Sequence, residues 1–262
     1  PMTLQSMIAA ATVRSDVEID EGWGQGRATY GGLVSALGLA RMEAIADLGD
    51  HRLRSVSTTF VGPVTPGATA LNAKLLRHGS NVTHTTCEII QEGQVKAVLQ
   101  ASFGSARESS LNFDRAPEMR LNPVDECLEL PYVAGLTPDF FQHVQLQQCE
   151  GDMPFSGGQP DFAGWMRLRE TPQEFTDLHL VALIDSWPPA VMPAMKTPAP
   201  GSTLTWQLGV MPFERPSRPD DYWGYRVKTH QAAEGYAFST AHVWTSTGHL
   251  AAVSQQSLAV FS

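Results

Sequence analysis

Asp185 stands inside VALIDSWPPAV (181–191), a stretch otherwise suited to burial. An ionised carboxylate taken out of water is costly unless something pairs with it or hydrogen-bonds it, so this position calls for partners. Partial burial also pushes a carboxyl pKa toward neutrality, which is what a general base needs. Gln256 is the second residue of this kind. It lies in phase with Leu250, Ala252, Ser254, Leu258 and Val260 in an alternating run, so its amide is expected on the apolar side, where it too requires partners. The plainer alternatives are an Asp that caps a helix end or the turn before Pro188, and a Gln that faces solvent after a bulge.

The chain around these residues is a duplication. GQVKAVLQA (93–101) lines up with GHLAAVSQQ (248–256), and Gly79 and Gly235 lie at similar distances upstream. Val95, Ala97, Leu99, Ala101 and Phe103 form the matching face in the first half, where Ala101 takes the place of Gln256. The β-branched and aromatic residues between the paired glycines predict a strand, a turn and a second strand in each half. YGGLVSALGLARMEAIADLGDH predicts a helix with Leu33, Ala36, Leu37, Ala40 and Ala44 on one stripe and a stop at Gly49. FTDLHLVALIDSW predicts another with Leu178, Val181, Ala182 and Asp185 aligned, ended by Pro188 and Pro189. Strands follow each helix, in RLRSVSTTFVGPV and TALNAKLLRHG, then in STLTWQLGVM and YWGYRVKTH. The fold class is therefore α+β, with one apolar helix covered by an antiparallel sheet in each half. Residues 1–106 form the first unit, 107–140 a Pro- and charge-rich linker without period, and 141–262 the second unit, which carries the polar chemistry.

Composition narrows the function classes. The 262 residues are 42% hydrophobic, enough for one large core or two small ones. A net charge of -9 without a Lys/Arg run argues against a nucleic-acid partner. No apolar run is long enough for a membrane span, and the start lacks a secretory pattern, so a cytoplasmic location is expected. Cys87, Cys127 and Cys149 match neither a disulfide framework nor a zinc pattern and are expected as buried thiols. The scattered histidines imply no metal, and no cofactor is expected. GWGQGR (22–27) fits no phosphate-loop pattern, and a G-x-S-x-G is absent, against an α/β serine hydrolase. Trp206, Trp223, Tyr225, Tyr236 and Trp244 are expected between sheet and helix, where some could line an acyl pocket.

In the order and spacing of WGQGRATYGGLVSAL, SVSTTFVGPVTPG, LIDSWPP, STLTWQL and GHLAAVSQQ, nearly the whole chain resembles the double hotdog acyl-CoA thioesterases of the thioesterase II type and the related thioesterase-like proteins. The resemblance implies a double hotdog fold, two tandem units each with an antiparallel sheet wrapped around a central helix. It implies a hydrolase of fatty acid metabolism that cleaves acyl-CoA to CoA and a carboxylic acid, in chains that pair as homodimers or higher homo-oligomers. It places the general base on Asp185 and the water-holding groups on Thr203 and Gln256. Thr205, expected on the same strand face as Thr203, and Gln255, beside Gln256, are the alternatives for those two. Backbone N–H groups near Gly31 and Gly32, at a helix start, suit the thioester oxygen. The rival functions on this scaffold are an acyl-thioester hydratase or dehydratase, and an acyl-CoA-binding protein without turnover.

Overall fold

The computed structural model describes residues 2–213 and 218–261. Helix α1 (Leu4–Val13) and strand β1 (Asp16–Ile19) lead through a two-strand ribbon, β2 (Gly24–Gln25) and β3 (Ala28–Thr29), into α2 (Gly31–Ile45). Strands β4 (Arg52–Phe60), β5 (Gly67–His78), β6 (Val82–Gln91) and β7 (Gln94–Gly104) complete the first half. The second half holds β8 (Leu128–Leu130), β9 (Val144–Gly151), β10 (Phe162–Leu168), α3 (Asp177–Ile184), β11 (Gly201–Val210), β12 (Trp223–Ala233), β13 (Tyr236–Trp244) and β14 (Leu250–Val260).

The strands join in one antiparallel sheet of order β1-β5-β6-β7-β4-β11-β14-β13-β12-β10-β9-β8. The internal echo explains that order. β5, β6, β7 and β4 run outward to inward in the first half, β12, β13, β14 and β11 do the same in the second, and β4 meets β11 at the seam. The hairpins β6–β7 and β12–β13 each turn on two residues with positive φ, Glu92-Gly93 and Glu234-Gly235, the turn whose twist matches paired strands. Each half wraps its sheet around one helix, and the whole is a double hotdog of the α+β class.

Because the sheet curls around it, α2 is buried on nearly every side, from Gly32 to Ala40 without a break. An apolar face all round is what full enclosure demands. The helix ends at Ile45, four positions short of the expected stop at Gly49, with the Ala46 N–H bonded back to the Glu43 carbonyl. Helix α1 went unread in the sequence. Its Leu4, Met7, Ile8 and Ala11 are buried, and Gln5 Oε1 lies 2.8 Å from His179 Nε2, tying it to α3.

The segment between the halves is more ordered than its composition suggests. Trp165, Gly224 and Trp244 are neighbours across β10, β12 and β13 and share the outer face. The segment lies over them: the Trp165 and Trp244 indoles donate to the carbonyls of Asn122 (2.8 Å) and Pro117 (3.0 Å), and a Cβ at Gly224 would sit 2.7 Å from Met119 Sδ. Trp244 is thus buried beneath this segment and not between sheet and helix, and Tyr236 is 59% exposed, which corrects the expectation for both. Further on, β8 pairs with β9, and Cys127 and Cys149, one step beyond the Leu128–Gln148 pair, form a disulfide with Cα atoms 4.5 Å apart. The expectation of three thiols is corrected; strand pairing sets two of them face to face, and Cys87 alone is a buried thiol.

Candidate active site

Asp185 is the C-cap of α3, the first residue past the last helical turn. Its backbone leaves the helix there, while its side chain points back toward the start of α2. The two helices meet end to side at this point, and glycine makes the approach possible. A Cβ on Gly31 would lie 2.8 Å from Asp185 Oδ2 and 3.0 Å from Phe60 Cζ. On Gly32 it would lie 2.5 Å from the Ala182 carbonyl oxygen. Glycine costs a helix up to about 1 kcal/mol relative to alanine, so the pair is kept for proximity and not for helix formation. Tyr30, the N-cap of α2 and fully buried, locks the junction by donating its hydroxyl to the Ala182 carbonyl, one of those the end of α3 leaves unpaired.

One side chain donates to the carboxylate: Gln256 Nε2 on β14 reaches Asp185 Oδ1 at 2.7 Å. The Gly32 N–H stands near enough to favour its charged form, as the N-terminus of a helix does for a nearby anion.

Thr203 and its neighbours are sorted by a bulge. In β11, Thr203 pairs with Leu258 and Thr205 with Ser257, so Leu204 is the extra residue. Directly opposed residues share a face, which puts Thr203 with Leu258 and Gln256, while Thr205 turns to the exposed side. The expectation that Thr203 and Thr205 share a face is therefore corrected: the bulge breaks the period of two. Gln255 is likewise exposed, opposite Gln207 and Thr240. The structure brings Asp185, Gln256, Gly31 and Gly32 together, and sets Thr203 on the Gln256 face without a hydrogen bond to either polar side chain. At the corresponding place in the first half the buried Ala101 offers nothing polar.

Burial dominates the electrostatics. Asp185 keeps some exposure as a residue, yet protein encloses its carboxyl closely enough to push the pKa up to about 7, with the Gln256 hydrogen bond and the nearby Gly32 N–H holding it back. The result is a carboxyl group that exchanges its proton near neutrality. Burial also raises the phenols of Tyr30 and Tyr225, and the nearby Asp185 charge adds to both shifts.

Of three aromatic neighbours of the site, Tyr225 was expected between sheet and helix, while Tyr30 and Trp187 were not singled out by sequence. Tyr30 precedes the Gly-Gly pair and Trp187 follows Asp185 by two, so proximity in sequence was a usable signal for both. Tyr225 is brought to this junction by sheet pairing. Its partner across the ladder is Gly164, whose missing side chain leaves room for the Trp187 ring. Trp187 stacks on Tyr225 with centroids 5.5 Å apart and planes 16° apart. A cavity of about 390 Å³ lies elsewhere, between the start of α1 and the stretch 168–173, and neither Asp185 nor Gln256 lines it. Among the described residues no group of three or more His, Cys, Asp or Glu is placed to hold a metal ion, and no helix is long and apolar enough to cross a membrane.

Comparison with known proteins agrees with the fold. Residues 19–104 match the acyl-CoA thioesterase N-terminal domain and residues 124–260 the acyl-CoA thioesterase C-terminal domain. No curated protein matches the chain. Among solved structures, a conserved hot dog fold protein of unknown function from Alicyclobacillus acidocaldarius is 20% identical, with TM-score 0.81 over 94% of this chain and 92% of that one. The acyl-CoA thioesterase II TesB2 of Mycobacterium marinum is 18% identical, with TM-score 0.69 over 94% and 91%. A tesB protein of Mycobacterium avium subsp. paratuberculosis is 13% identical, with TM-score 0.78 over 99% and 100%. At these identities the likeness to solved structures speaks for the fold.

Proposed function

We propose that this chain, which belongs to the acyl-CoA thioesterase family, hydrolyses acyl-CoA thioesters with Asp185 as general base. One observation carries the reading: a carboxyl whose pKa burial raises to about 7 is held by Gln256 at 2.7 Å, in the half of the duplication where Gln256 stands in place of Ala101. Asp185 takes a proton from a water that Gln256 and Thr203 hold beside it. The water oxygen bonds to the thioester carbonyl carbon, and the carbonyl electron pair moves to oxygen. Collapse of that adduct breaks the C–S bond, and CoA leaves as thiolate and takes up a proton. General base assistance of this kind is worth about 10² to 10⁴ in rate.

The test is thiol release from short, medium, long and aromatic acyl-CoA esters by the wild type beside Asp185→Asn. Turnover by the wild type that falls at least a hundredfold in a folded Asp185→Asn supports the reading. Equal rates move the base elsewhere, and binding without thiol release makes the protein an acyl-CoA binder.

A further inference from the structure

Two phenols lie near enough to Asp185 to respond to its charge, and they differ in what their protons do. The Tyr30 hydroxyl is used up on the Ala182 carbonyl. The Tyr225 hydroxyl makes no hydrogen bond with any described residue. Nor is it sealed in: among the described residues the fully enclosed polar side-chain atoms without a partner are Thr29 Oγ1, Thr85 Oγ1 and Trp187 Nε1, and the Tyr225 oxygen is not one of them. Tyr225 is 8% exposed as a residue, so its ring is buried while its oxygen keeps some exposure.

The ring is also fixed. It stacks on Trp187 at 5.5 Å and on Phe162 at 6.2 Å, and both rings are themselves buried. Its strand neighbours Gly224 and Arg226 face the segment on the outer side of the sheet, so Tyr225 faces the helix side, where Asp185 ends α3. Of the side-chain donors around Asp185, Gln256 Nε2 already serves the carboxylate. A rigid donor that no protein group uses can pass its hydrogen bond from water to a bound ligand.

We propose that the Tyr225 hydroxyl donates a hydrogen bond to the carbonyl oxygen of the bound thioester, and stabilises the negative charge that grows there as water adds to the carbonyl carbon. The inference rests on the thioester reading above. Tyr225 keeps its proton throughout; the proton of the attacking water goes to Asp185. The phenol is suited to this because burial and the Asp185 charge keep it protonated well above neutral pH. A donor held in place before the reaction has no reorganisation to undergo, and loss of one such donor costs about 10² to 10³ in kcat.

The experiment pairs turnover with a direct view of the carbonyl. Wild type and Tyr225→Phe are assayed with the best ester of the panel. Each is then loaded with a ketone analogue, in which CH2 replaces the thioester sulfur and the carbonyl carries 13C for infrared difference spectra. Expected are a roughly hundredfold fall in kcat with KM changed only a few-fold, and a carbonyl band shifted to lower frequency in the wild type and restored in Tyr225→Phe. A merely structural Tyr225 would leave that band in place. Wild-type turnover with no band shift, or with the same shift in Tyr225→Phe, overturns the inference and leaves the hydrolase reading intact. A wild type that shifts the band through Tyr225 but releases no thiol overturns the hydrolase reading alone. Failure of the wild type to bind either ester or ketone overturns both. If Tyr225→Phe does not fold, a fluorotyrosine in place of Tyr225, a stronger donor, should lower the band further, and an unmoved band overturns the inference.

Discussion

Gln256 Nε2 donates to Asp185 Oδ1 across 2.7 Å, joining the last strand of the sheet to the C-cap of α3. The same carboxylate lies against Gly31 and near the Gly32 N–H at the start of α2, so one titratable group meets three elements from both halves of the chain.

The pH dependence of activity follows from this carboxyl. A base must be ionised, so kcat/KM should rise with pH through an apparent pKa near 7, where burial places Asp185. A rate that stays flat from pH 5 to pH 9 with a hydrolysable ester would contradict that assignment.

Stability should run the other way. The Asp185 pKa is raised above its unfolded value, so the favourable contribution of the protonated form is complete at low pH and is lost as pH climbs through about 7. Asp185→Asn removes the titration. Its melting temperature relative to the wild type should therefore rise from roughly pH 4 to pH 7 and level off above, as calorimetry across that range would read.

Gln256→Ala removes a hydrogen bond that favours the charged carboxylate. The acid limb of the rate profile should move to higher pH, and kcat at the plateau should fall as the water loses a holder. Gln255→Ala, at an exposed position, should leave both unchanged.

The glycine pair should separate chemistry from folding. Gly31→Ala puts a methyl 2.8 Å from Asp185 Oδ2, where a side chain can shift, so activity should fall at least tenfold with the fold kept. Gly32→Ala meets the Ala182 backbone at 2.5 Å, which cannot yield, and should lower the melting temperature sharply despite the better helix propensity of alanine.

Reducing the Cys127–Cys149 bond opens a loop with a sequence separation of 22, for which chain entropy gives about 3 kcal/mol. Cys127→Ser with Cys149→Ser should unfold at lower denaturant concentration than the oxidised wild type. Its turnover should be unchanged, since the disulfide sits with the segment on the outer face.

The sequence by itself determined the repeat, the two central helices and the strands that follow them, because burial forces a period of 3.6 or 2 onto apolar residues and glycines mark the turns. It also singled out Asp185 and Gln256, polar groups standing in apolar registers. What it could not determine was set by contacts between distant segments. A single bulge at Leu204 decides which threonine faces the site, and an alternating pattern is blind to one inserted residue. Pairing of β8 with β9 turns two dispersed cysteines into a disulfide. Asp185 comes up against the Gly31-Gly32 pair only because α2 and α3 meet. Tyr225 comes to that junction through the neighbours it has across the sheet, β10 and β13, which no local run of residues records.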